Sequence, residues 1–272
     1  MSYLPITIAA YLLNSIAVTI DKFLLNKSIP NPLSYVLYIS LFSLLMLLGL
    51  PFAHMPTGFV FILASLSTFL WTIGAYLMFA AIKNEAVSRV VPTIGTLIPL
   101  ILFAHAAIFS TISQTQILAV GILVLGLVFL TFSSLHLKGV KLEVLSALFF
   151  AISYLVLREA YLKENFLTVL VYSRFILIPL VAGIFFIPKA PKVKVGPLFI
   201  FGQAAGGASQ LLLTYAISLA SPALINSLQG IQYIFLFFFS MWVFKEKFSI
   251  FNMLGKILGI GLIGLGIYLL AF

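Results

Sequence analysis

Hydrophobic positions run along this chain in ten long blocks, each closed by a short polar or proline-bearing break. The blocks predict helices over 3–21, 33–52, 58–82, 87–109, 115–134, 142–160, 167–187, 196–219, 223–244 and 251–271. A helix of roughly 20 apolar residues crosses a hydrocarbon core about 30 Å thick. None of the blocks alternates with a period of two, and all are too long for barrel strands. A helical bundle is then the way left to pair every backbone group inside lipid. Breaks such as Asn26-Lys27-Ser28-Ile29-Pro30-Asn31-Pro32 and Pro188-Lys189-Ala190-Pro191-Lys192 carry prolines, which fix φ and remove a donor.

The second five blocks repeat the first five at an offset of about 135. Ala81-Ile82 falls on Ala216-Ile217, Gly95 on Gly230 and Gly126 on Gly261. The expected organisation is a first repeat over 1–134, a connecting loop at 135–141 and a second repeat over 142–272. Five is an odd number of crossings, so the second copy must insert upside down relative to the first. The expected fold is therefore an all-α membrane protein of ten helices in two inverted five-helix repeats. That geometry offers two nearly equal arrangements around a central site, as alternating access requires.

Composition agrees with lipid as the solvent. Hydrophobic residues make up 63% of the chain and charged residues 8%, with a mean hydropathy of +1.24. A water-soluble domain carries about 25% charged residues. The net charge of +9 does not point to nucleic acid, because Lys and Arg are scattered at block ends. It bears on orientation instead. Eleven basic residues, among them Lys83, Arg89, Lys138 and Lys189, fall in one set of alternate connections, against Arg158 and Lys163 in the other. The positive-inside rule then places both termini outside. The first block lacks a basic n-region and reads as a retained helix, not a signal peptide. With no cysteine, neither a disulfide nor a Cys metal site is possible. No HExxH, GxSxG or P-loop motif occurs, so no enzyme activity, metal, cofactor or direct ATP drive is expected.

Short motifs carry a family resemblance across essentially the whole chain. Glu85-Ala86-Val87-Ser88 leads into a helix holding Pro99. Phe244-Lys245-Glu246-Lys247-Phe248-Ser249 forms an acidic turn, Gly255 to Gly266 space glycines along the last helix, and Arg174-Phe175 forms an Arg-Phe pair. In these features the chain resembles the EamA-type branch of the drug/metabolite transporter superfamily. The first half departs from the pattern, with Phe109-Ser110-Thr111-Ile112-Ser113 at the acidic turn and Ser40 at the Arg-Phe position. The second half has Ile234 where Pro99 would repeat. The resemblance implies a secondary transporter of a small organic metabolite, such as an amino acid or related compound, in a plasma or inner cell membrane. It also implies a cavity among the third, fourth, eighth and ninth helices, and termini in the cytoplasm, against the charge count. A flippase for a lipid or lipid-linked sugar is the nearest rival, and a non-transporting structural or receptor protein the next. The expected partners are a small solute and the bilayer. Small-residue registers at Gly202/Gly206 and Gly255/Gly259 suit packing within the chain, and a homodimer is not required.

Polar residues inside the blocks are the candidate site. Gln203 and Gln210 stand two turns apart with Gly206 and Gly207 between them. Asn226, Gln229, Gln232 and Tyr233 form a stripe on the ninth block. Unpaired amides in hydrocarbon cost several kcal/mol, so such stripes face protein or a watery cavity. Interhelical bonding is the plainer use for them. Asn14, Trp71, Tyr76 and Thr96 are further cavity candidates, with packing the competing role. Pro99 suits a bend used for gating or for fixed shape. Arg174, about two turns inside its block, suits snorkelling or a structural pair more than a site. All six acids lie near predicted helix ends, which weakens proton coupling through a central carboxylate; Asp21 is the nearest substitute.

Overall fold

The computed structural model describes residues 3–27, 31–84, 87–109, 112–131, 140–185, 196–243 and 250–271. All regular structure among them is helical. In order, the elements are α1 (Tyr3–Lys27), α2 (Pro32–Ser43), a 3-10 helix Leu44–Phe52, α3 (Gly58–Asn84), α4 (Val87–Phe109) and α5 (Gln114–Thr131). They continue with α6 (Lys141–Tyr161), α7 (Phe166–Tyr172), α8 (Leu177–Phe185), α9 (Pro197–Leu219), α10 (Pro222–Ser227), α11 (Gly230–Val243) and α12 (Ile250–Ala271). Among the described residues, seven segments are long and apolar enough to cross a membrane. The acidic-turn motif at 244–249, residues 85–86 of the fourth-block motif and nearly all of the 135–141 loop lie outside the described residues.

Three blocks expected as single helices are interrupted. The second changes from α to 3-10 winding at Leu44. The seventh breaks between α7 and α8, where Arg174, Phe175, Leu177 and Ile178 each donate to the carbonyl three residues back. The ninth breaks between α10 and α11, where Gln229, Ile231 and Gln232 do the same. Local 3-10 winding keeps the backbone paired while it turns side chains off the helical phase. In the other direction, α1 runs six residues past its expected end at Asp21.

Three antiparallel pairs form the frame. α1 lies along α9, with Ser209 Oγ donating to the Ala10 carbonyl at 2.8 Å. α3 lies along α6, joined by the Ser67–Ser153 hydroxyl pair and by Ser146 Oγ donating to the Gly74 carbonyl at 2.8 Å. α5 lies along α12, where the backbones nearly touch. A Cβ on Gly259 would meet the Gly126 carbonyl oxygen at 2.7 Å, and one on Gly126 would meet that of Gly259 at 2.9 Å. In lipid there is no hydrophobic drive between helices, so such close approach supplies the association through dispersion contacts. Gly261, aligned with Gly126 in the sequence repeat, has open space where a Cβ would stand.

Candidate functional site

Between the paired helices lies a cavity of about 290 Å³, lined from both halves of the chain. α1, α3, α4, α6 and α9 supply its walls, together with the interrupted second, seventh and ninth segments. Two of the interruptions bring polar side chains to it, Arg174 from the α7–α8 break and Gln229 from the α10–α11 break. Discontinuous helices are how membrane proteins expose polar groups to a cavity at depth.

Asn14, Trp71, Gln203, Gln210 and Gln229 line the cavity, as do Asp21 and Arg174. Asn14 Nδ2 donates to Gln232 Oε1 at 2.9 Å, tying α1 to α11. Trp71 packs edge-on against Phe150, with ring centroids 5.7 Å apart. Asp21 falls inside the continued α1, not at its end. Its carboxylate accepts a hydrogen bond from the Tyr35 hydroxyl, to which Gln203 Nε2 donates at 3.2 Å. Arg174 faces the cavity wall, and among the described residues it has neither a hydrogen bond to Nε nor an ion pair. Among the described residues the structural pair expected for it is not found.

Four of the expected cavity-lining residues stand off the wall. Tyr76 is 43% exposed on the outer face of α3, because five residues from Trp71 turn it well round the helix. Thr96 Oγ1 donates to the Pro92 carbonyl one turn back at 2.8 Å. Asn226 is buried, and its Nδ2 donates to the Pro222 carbonyl at 3.0 Å. Tyr233 Oη reaches across to the Val91 carbonyl at 2.8 Å and joins α11 to α4. Pro99 also lies off the wall but acts on it. Its missing N–H leaves the Gly95 carbonyl without a helical donor, and Gly95 lines the cavity. Gln229 Nε2 comes within 2.8 Å of where a Gly95 Cβ would stand. Residues not singled out from the sequence complete the wall, including Ser67, Thr68, Phe79, Phe150, Ser153 and Tyr161. Ser67 and Ser153 mark a helix pair through small hydroxyls, a signal too common in sequence to stand out.

The model of the EamA-like transporter family matches residues 137–272, half of the chain. The chain belongs to the EamA-like transporter family. Within the drug/metabolite transporter superfamily, members of this family are membrane transporters of small molecules and not enzymes. With its apolar spans, this EamA-like protein is an integral, multi-pass membrane protein. A crystal structure described only as that of a protein superposes on it with a TM-score of 0.70 at 14% identity, covering 98% of each chain. At that identity the likeness shows the fold alone. No curated protein matches the sequence.

Proposed function

We propose that this EamA-like protein is a secondary transporter that carries a small organic metabolite, an amino acid or related compound, by alternating access. Its working units are two inverted five-helix repeats, 1–134 and 142–272, joined by 135–141. The observation that carries the reading is the cavity itself, polar in part and walled by both halves. The frame supports it. Exchanging the halves turns the α1–α9 pair into the α6–α3 pair, and the α5–α12 pair into itself. Nearly the same two positions are bonded in both pairs with the roles reversed: Ser209 of α9 donates to the Ala10 carbonyl of α1, whereas Gly74 of α3, aligned with Ser209, accepts from Ser146 of α6. A bundle with such near-symmetry has two arrangements of similar energy.

In this reading Gln210, Gln229 and Asn14 present hydrogen-bonding groups to the solute, and Trp71 and Phe150 cover its apolar surface. Asp21 is the coupling group. Pro99 shapes the wall through the freed Gly95 carbonyl.

A thermal-shift panel of amino acids, nucleosides, polyamines and lipid head groups tests the reading on purified protein in detergent. A ligand that binds only the folded state raises the apparent Tm by mass action, about 2.7 kcal/mol at a hundred times Kd. One soluble class is expected to shift the Tm, and Gln210→Leu to weaken that binding about tenfold without lowering the ligand-free Tm. A response to lipids or lipid-linked sugars alone would favour a flippase.

A further inference from the structure

We propose that Arg174 and Tyr161 form an anion subsite at one end of the cavity, so that the transported solute carries a carboxylate. The proposal rests on the cavity being the solute site.

Two buried polar atoms on the cavity wall are left without a hydrogen bond among the described residues: Arg174 Nε and the Tyr161 hydroxyl. Both line the same cavity, Tyr161 from the C-terminal end of α6 and Arg174 from the break after α7, which packs on α6. Arg174 Nε can only donate and the Tyr161 hydroxyl has a proton to give, so an anionic acceptor between them would satisfy both. The hydroxyls beside them are already committed as donors. Ser173 Oγ donates to the Leu170 carbonyl at 2.7 Å, and Thr214 Oγ1 to the Leu211 carbonyl at 3.1 Å.

Arg158 shows what a structural arginine does in this fold. Its Nη1 donates to the Ile217 and Ser218 carbonyls at 2.9 and 2.6 Å, capping the C-terminal end of α9. Such a cap satisfies both the cation and the orphan carbonyls of the helix. Among the described residues Arg174 Nε has no such partner. It also lies too deep for an ordinary headgroup anchor, about 12 Å along its segment from Phe166 by helical rise.

Asp21 is the carboxylate on the cavity wall, and it belongs to the other end. Asp21 follows Ile20, which packs on Gly202, whereas Tyr161 sits by Thr214. Along α9 the rise from Gly202 to Thr214 is about 18 Å. That is far more than the span between the charged groups of an α-amino acid. A solute that pairs with Arg174 therefore does not also pair with Asp21, and the site fixes its carboxylate without fixing an ammonium. A guanidinium binds a carboxylate through two parallel hydrogen bonds, and the phenol adds a third. Trp71 and Phe150 leave the rest of the cavity suited to an apolar or aromatic body.

Matched probes test this: acetate, phenylacetate, indole-3-acetate and L-phenylalanine, each against its amide, with thermal shift as readout on the full chain. The wild-type protein is expected to prefer at least one carboxylate over its amide by about tenfold or more, and Arg174→Met to lose that preference. Arg174→Lys keeps the charge without the fork and should keep a weaker preference. The ligand-free Tm of Arg174→Met separates a site from a strut. An arginine waiting for a ligand can be replaced with the Tm unchanged or raised, whereas a fall of several degrees makes Arg174 structural and overturns the proposal. Equal shifts from acids and amides, or a preference that survives in Arg174→Met, overturn the anion subsite and leave a solute cavity standing. Silence from every probe and from the wider metabolite panel counts against the cavity as a solute site and removes the subsite with it.

Discussion

Asp21 shows how much rests on the surroundings of a single side chain in this bundle. On the sequence it sits next to Lys22 at the edge of an apolar run, where a carboxylate is unremarkable. In the fold it faces the cavity and is held by Tyr35, which is held in turn by Gln203. A cavity-lining carboxylate that, among the described residues, is kept by a hydroxyl and not by a cation can gain or lose a proton without breaking an ion pair. If Asp21 couples transport, Asp21→Asn should abolish the dependence of uptake on an imposed pH gradient in proteoliposomes, while exchange of labelled solute persists. Tyr35→Phe should weaken the gradient dependence and leave it present. Undiminished gradient-driven uptake in Asp21→Asn would remove Asp21 from the mechanism. The same scale shows what sequence leaves hidden. Trp71 and Tyr76 looked alike as aromatic candidates on one block, yet helical phase sends the first inward and the second outward. Tyr161 and Arg174 lie in different blocks, and only the packing of α6 against the seventh segment brings them to one wall.

At the scale of helices, the pattern of apolar blocks carried most of the architecture. Where a block is long and uniform, its ends follow from hydropathy, and 87–109 matches α4 at both boundaries. The interruptions were not legible, because hydropathy measures transfer into lipid and says nothing of which carbonyl each N–H meets. The α7–α8 break holds no proline or glycine to announce it, and it is where Arg174 enters the cavity. The glycine spacing of the last block was legible as a packing signal, and its Gly255/Gly259 register already included a contacting glycine. The fold assigns the contact to Gly259 and leaves Gly261 free. Gly259→Leu should force α5 and α12 apart and destabilise the protein by about 1–3 kcal/mol or more. Gly261→Leu should change stability by no more than about 0.5 kcal/mol. Detergent thermal denaturation of the two variants checks the difference, and equal losses would show that the seam is not where the backbones meet.

For the whole molecule the open physical question is which way it faces. The start of α1 and the end of α12 lie at one face of the bundle, since α1 runs parallel to α11, α4 antiparallel to α11, and α5, which follows α4 by a short turn, antiparallel to α12. The connections rich in Lys and Arg are those expected from the sequence on the opposite face, and most of their residues lie outside the described ones. Charge bias acts during insertion, when loops rich in Lys and Arg are held on the cytoplasmic side. A bias of eleven basic residues against two is large for short loops, so the termini are expected outside, opposite to what family resemblance implies. The orientation also decides the meaning of the cavity's polarity, because it would set Asp21 towards the cytoplasm and Arg174 towards the exterior. The chain contains no cysteine, so one introduced thiol reports without background. Lys83 is exposed near the end of α3 on the basic face, and Ser113 is exposed between α4 and α5 on the terminal face. With a membrane-impermeant maleimide on intact cells, Ser113→Cys should label and Lys83→Cys should label only after the membrane is permeabilised. The reverse pattern would put the termini in the cytoplasm and show that the charge bias does not govern insertion here. Labelling of both from outside would mean that α4 does not cross, and would break the odd number of crossings per repeat on which the inversion depends.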